Sequence, residues 1–164
     1  MQGGMSLLEI CSVDVLRTII QFMHQVLIIF AVFIVFDLPL SPLSLISLLG
    51  LGVLILNGFW LTVFFGIAGA RYRDLTEVIT AIMRIAFLAT PIIWLPMERG
   101  SDGIMGAFLT YNPFYHYLEL IRAPLMGNDI APVSIAVVLT ITSIGGLFTF
   151  FFYRRLHFRV PLWI

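Results

Sequence analysis

The chain has 164 residues, of which 60% are hydrophobic and only 11% charged, with a mean hydropathy of +1.06. A soluble domain has about 45–50% apolar and about 25% charged residues, so too little polar surface is left here to face water, and the bilayer is the natural solvent. All nine basic residues are arginines and balance nine acidic ones, which leaves no concentrated basic surface for nucleic acid, and a single cysteine, Cys11, excludes intrachain disulfides and cysteine-rich metal sites.

The first ten residues lack a basic segment followed by an apolar one, so no cleavable signal peptide is expected. A helix crossing the hydrocarbon needs about 20 mostly apolar residues. The sequence predicts four, over residues 18–36, 43–69, 79–96 and 133–153. The first lies between Arg17 and Asp37, and its polar His24 and Gln25 should face other helices. The second lies in the uncharged run 38–70 and begins after Pro39 and Pro42. Its glycines, with Gly145 and Gly146 of the fourth, let helices approach closely. The third contains Arg84, near enough to the inner end to snorkel, and Thr90-Pro91, where a kink is expected.

Between the second and third spans, residues 70–78 form a short, densely charged loop in which Asp74 or Thr76 is placed to cap the next helix. Such a loop suits either an interfacial anchor or docking onto another protein. Between the third and fourth, residues 97–132 are too long for a turn. Residues 104–110 cover only about two helical turns, and 114–123 read as a short amphipathic helix started by Pro113, with Glu119 and Arg122 three apart on one face. Neither piece can span a bilayer. They lie at the interface or re-enter it, as a lid or pore lining, or rest there as a solvated loop.

Arginines set the orientation. If the first span runs outward, Arg17, Arg71, Arg73, Arg154, Arg155 and Arg159 are inside, and only Arg99 and Arg122 are in the outer loops. Both termini are therefore expected in the cytoplasm. Trp94 and residues 150–153 fit aromatic belts at the two interfaces.

Catalytic motifs are missing from the sequence. A phosphate-cradling G-x-x-x-x-G-K-[ST] loop needs a lysine, and neither H-E-x-x-H nor G-x-S-x-G occurs. His116 and Glu119 have no evident third partner for a metal. The fold class is thus all-α: a polytopic transmembrane helical bundle of four spans with short re-entrant or interfacial helices on the outer side. It forms one transmembrane domain over residues 1–164 and has no catalytic site.

The order of the pieces resembles a family. ARYRDL (70–75) leads into a span with PIIW (91–94), then NPFYHYLELIRAPLMG (112–127), a last span, and a basic tail ending RVPLWI (159–164). Over residues 13–164 this is similar to the permease subunit of type-2 ABC transporters, in the branch exporting O-antigen, capsule or teichoic acid polysaccharide. The resemblance implies a homodimeric permease of the bacterial cytoplasmic (inner) membrane that moves a lipid-linked glycan. No cofactor belongs to the chain itself, and ATP is bound and hydrolysed by a separate ABC ATPase subunit. Arg71, Tyr72, Arg73 and Asp74 would be the ATPase-coupling loop. Asn112, Pro113, Tyr115, His116, Glu119 and Arg122 would form an outer gate. Phe59, Trp60 and Phe64 are candidates to line the path, since sugars pack their C–H faces on rings. The family has two further spans before the matched part, and this chain begins where the third should begin. Readings kept beside this one are an ABC permease for drugs or other small molecules, and a membrane enzyme acting on lipid-linked intermediates.

Overall fold

The computed structural model describes residues 6–37, 41–72, 74–90, 109–158 and 160. All regular elements among them are helical: α1 (Leu7–Val35), a 3-10 helix (Pro42–Leu45) running into α2 (Ile46–Arg71), then α3 (Leu75–Ala89), α4 (Pro113–Leu125) and α5 (Pro132–Leu156). Three segments are long and apolar enough to cross a membrane: Leu7–Val35, Pro42–Arg71 and Pro132–Leu156.

α1 starts eleven residues before the expected span. Ser6 accepts from the Glu9 N–H, and the Glu9 carboxylate accepts from the Ser6 N–H, a capping box that anchors the helix ahead of its apolar run. The α2 and α5 boundaries match expectation to within three residues. α3 has 15 described residues, about 22 Å of helix, which is short of the ~30 Å hydrocarbon core. Its C-cap Thr90 is extended, as the residue before a proline prefers. The remainder of the expected third span, 91–96, with Pro91 and Trp94, lies outside the described residues, as does 104–108. Asp74 occupies the N-cap position of α3, but in a helical conformation and without a side-chain cap; Thr76 lies inside the helix and bonds only as a carbonyl to Thr80.

α2 is the central rod. α1 packs antiparallel against its lower half, where Leu7 and Cys11 meet Val63 and Ile67 with Phe152, Leu156 and Val160 around them. α5 runs parallel to α2, pairing Asn57 with Thr142, Trp60 with Gly145 and Phe64 with Phe148. The start of α1 and the ends of α2 and α5 therefore meet at one end of the bundle, which gathers Arg71, Arg154 and Arg155. α4 lies at the other end.

Burial is sparse. Leu27 is 65% and Ile34 79% exposed, and most of α1 shows apolar side chains on every face, the pattern of a helix whose surroundings are themselves apolar. His24 and Gln25 are corrected by this: both are exposed on α1 rather than turned to other helices, and the His24 ring bonds its own helix at the Ile20 carbonyl, 2.8 Å away. A carbonyl one turn back satisfies the side chain without a neighbouring helix.

Candidate functional site

α4 is seated across the end of the bundle by polar contacts that begin at its cap. Asn112 accepts the Phe114 N–H at 3.0 Å and donates through Nδ2 to Thr90 Oγ1 at 3.2 Å, so one side chain both starts α4 and ties it to the end of α3. Pro113 follows at the first helical position, where no N–H is needed. The other end closes at Gly127 (φ 76°), with Asn128 N–H donating to the Ala123 carbonyl and Gly127 N–H to that of Pro124, the Schellman pattern that only a left-handed residue allows. Pro124, one residue past the expected end of the helix at 123, sits within its last turn.

The underside of α4 is held by α2 and the preceding 3-10 turn. Ser47 Oγ donates to the Ile121 carbonyl at 2.9 Å and Ser44 Oγ to that of Pro124 at 3.4 Å. Pro124 has no N–H to offer the Leu120 carbonyl, and that carbonyl comes up against Gly50, where an added Cβ would lie 3.0 Å from it. A glycine is needed at 50 for the two backbones to approach so closely.

His116 is 2% exposed and uses both ring nitrogens. The Thr110 carbonyl, 2.8 Å from Nε2, can only accept, so Nε2 carries a proton; in the neutral ring Nδ1 then accepts from the Ser134 hydroxyl at 2.9 Å. His116 thereby joins α4 to the start of α5. Tyr115, edge-on to His116, lies beside Glu119 and Arg122. Burial first, then the Glu119 carboxylate, push its phenol up, and the Arg122 guanidinium pulls the other way.

Below α4 a second polar layer centres on Asn57, 4% exposed. Its Oδ1 accepts from Tyr117 Oη at 2.8 Å and Trp60 Nε1 at 3.0 Å. Its Nδ2 donates to the Val53 carbonyl and Thr142 Oγ1, both at 2.7 Å. Both donors and both acceptor positions of the amide are used, so α2, α4 and α5 are joined at one residue. Burial pushes the Tyr117 phenol up, with Thr142 pulling it back.

Each group of sequence-predicted residues has a definite place. Asn112, Pro113, Tyr115, His116, Glu119 and Arg122 all lie on or at the cap of α4. Asn112 and His116 are buried in its seat, while Tyr115, Glu119 and Arg122 are half-buried. Arg71, Tyr72 and Asp74 are exposed together at the α2–α3 corner, with the Arg71 guanidinium 5.4 Å from the Tyr72 ring; Arg73 lies outside the described residues. Phe59 and Trp60 are half-buried between α2 and α5 and line a cleft of about 360 Å³ there. Phe64 joins Phe148 and Phe152 in an aromatic cluster, with centroids 5.3–5.9 Å apart. The sequence reading missed Ser44, Ser47, Asn57, Ser134 and Thr142, which hold α4 in place. Uncharged polar residues inside apolar runs were the available signal. Among the described residues no three His, Cys, Asp or Glu side chains come together.

No protein-family model matches this chain, and neither a curated protein nor a solved structure is significantly similar to it.

Proposed function

We propose that the chain is the membrane-spanning permease part of an ATP-driven exporter of lipid-linked polysaccharide, embedded in the bacterial cytoplasmic membrane with the arginine-rich end inward. It acts as a homodimer with a separate ATPase subunit. The observation that carries this reading is the placement of two polar features at opposite ends of one apolar rod. The Arg71–Tyr72–Asp74 corner terminates α2 at one end. At the other, α4 is fastened to the same helix through Ser47, Gly50 and Asn57.

A partner that hydrolyses ATP has to push on something stiff. α2 runs for 26 residues without a proline, about 39 Å, so displacement of its corner reaches the seat of α4 as rigid-body movement. α4 is too short to span and carries Tyr115, Glu119 and Arg122 half-buried at the mouth of the bundle, which suits a gate that admits a hydrated glycan while its lipid stays in the bilayer. The arginine-rich end fits the cytoplasmic side.

The test uses the complete transporter. A photo-crosslinking residue in place of Tyr72 captures the ATPase subunit, and Arg71→Glu lowers glycan export severalfold while membrane insertion is unchanged. Normal export by Arg71→Glu together with no crosslink contradicts the coupling role.

A further inference from the structure

Thr149 is 3% exposed, and its hydroxyl is a buried polar group with no hydrogen-bond partner. Other helical threonines show how unusual this is: Thr18, Thr62, Thr80, Thr90, Thr140 and Thr142 each donate to the carbonyl four residues back, at 2.7–3.0 Å. An orphaned hydroxyl in an apolar setting is unfavourable unless something accepts from it. Thr149 lines the cleft of about 360 Å³ between α1, α2 and α5, whose other walls include Leu8, Phe59, Trp60, Phe150 and Tyr153. Gly146 opens its upper part, since a Cβ there would only just reach Trp60, at 4.0 Å. The Arg154 guanidinium, one turn further along α5 than Phe150, lies 5.7 Å from the ring centroid of that lining residue.

We propose that this cleft is a lipid site that holds one acyl chain of an anionic glycerophospholipid, with the phosphate at Arg154 and an ester carbonyl accepting the Thr149 O–H. The site rests on the membrane embedding proposed above, not on the transport activity. The dimensions agree with the chemistry. From Thr142 to Tyr153 the cleft follows twelve residues of α5, a rise of about 16 Å, half the ~30 Å hydrocarbon core and thus one leaflet. Thr149 lies five residues, about 7.5 Å, deeper than Arg154, and in a glycerophospholipid the ester carbonyls lie just inside the phosphate. Apart from Thr142 and the Tyr153 phenol the walls are rings, aliphatic side chains and Gly146, and the Thr149 hydroxyl, the one buried side-chain polar atom without a partner among the described residues, sits at ester depth. Arg154 supplies the charge that selects an anionic headgroup.

The experiment uses the full chain purified in detergent and stripped of lipid, with Trp94→Phe and Trp163→Phe leaving Trp60 as its one tryptophan. The probe is phosphatidylglycerol with a brominated acyl chain, whose bromines quench tryptophan on contact. Saturable quenching of Trp60 is expected, about 5-fold tighter than with the brominated phosphatidylcholine. The ester lipid should bind about 5-fold tighter than its ether analogue. Gly146→Leu, which fills the cleft, abolishes saturation. Thr149→Val removes the ester preference and keeps the anion preference, and Arg154→Gln does the reverse. Quenching that rises in proportion to lipid fraction and is the same in Gly146→Leu overturns the site, as does equal affinity for ester and ether lipids. Loss of the chain from membranes on alkaline carbonate extraction would instead count against the embedding, so the two failures are told apart.

Discussion

The Tyr117 hydroxyl donates to Asn57 Oδ1 at 2.8 Å, joining side chains 60 residues apart in the chain. That bond, with those from Trp60 and to Thr142, fixes the short helix α4 to both long helices of the rod. Asn57→Ala leaves the Tyr117 and Trp60 donors without their acceptor, so unfolding in detergent should become easier by about 1–3 kcal/mol. Double-mutant cycles between Asn57→Ala and Tyr117→Phe should give a coupling energy of at least a few tenths of a kcal/mol, about the size measured for polar pairs between membrane helices. Strict additivity would show that the two do not act as a unit.

Alkaline pH should loosen the same end of the molecule. Burial raises the phenols of both Tyr115 and Tyr117, so the fold favours their neutral forms. Their contribution is complete below the unfolded value of about 10 and is lost as pH rises through the raised folded values. Thermal stability is expected to be flat toward pH 9 on this account and to fall above pH 10. Tyr117→Phe should make that fall shallower, and an unchanged slope would remove Tyr117 from the explanation.

The Trp60 ring packs against Gly145, where an added Cβ would come 2.5 Å from the indole. The ring cannot swing aside freely, because Nε1 is held by Asn57. Gly145→Ala should therefore cost about 1–3 kcal/mol by overpacking and shift the Trp60 fluorescence maximum. Gly52→Ala is the control, since a Cβ there meets nothing within 4 Å, and it should be near neutral.

Within α4 the two neighbouring rings should separate in their effects. His116 is buried with both nitrogens engaged, so His116→Ala strands the Ser134 hydroxyl, and the loss should show first as lower stability. Tyr115 is only half-buried, and Tyr115→Ala should alter export rate or glycan length with a small effect on melting. Equal destabilisation by both would argue against Tyr115 acting at the mouth.

Much of the architecture was legible because the bilayer imposes a simple length rule: the apolar runs over 43–69 and 133–153 became α2 and α5 almost residue for residue. The start of α1 was misplaced because a capping box carries a helix past charged residues that a hydropathy window treats as an end. The α4 helix was visible from its Asn-Pro start and amphipathic spacing, but what fastens it was not. Ser47, Asn57 and Thr142 look alike in sequence to Thr62 or Thr140, which bond only their own helix. Which hydroxyl or amide crosses to a neighbour depends on the rotation of each helix, and a weakly amphipathic span does not encode that rotation in its apolar pattern. His24 failed for the same reason.

Side of the membrane is the central claim, and it can be read directly. In a Cys11→Ser background, single substitutions Tyr72→Cys and Asp129→Cys place one thiol at the α2–α3 corner and one beyond α4, both at exposed positions. A membrane-impermeant maleimide applied to intact cells should label Asp129→Cys and should reach Tyr72→Cys only after permeabilisation. Labelling of both from the same side would contradict the arrangement of an inward coupling corner and an outward gate on one rod.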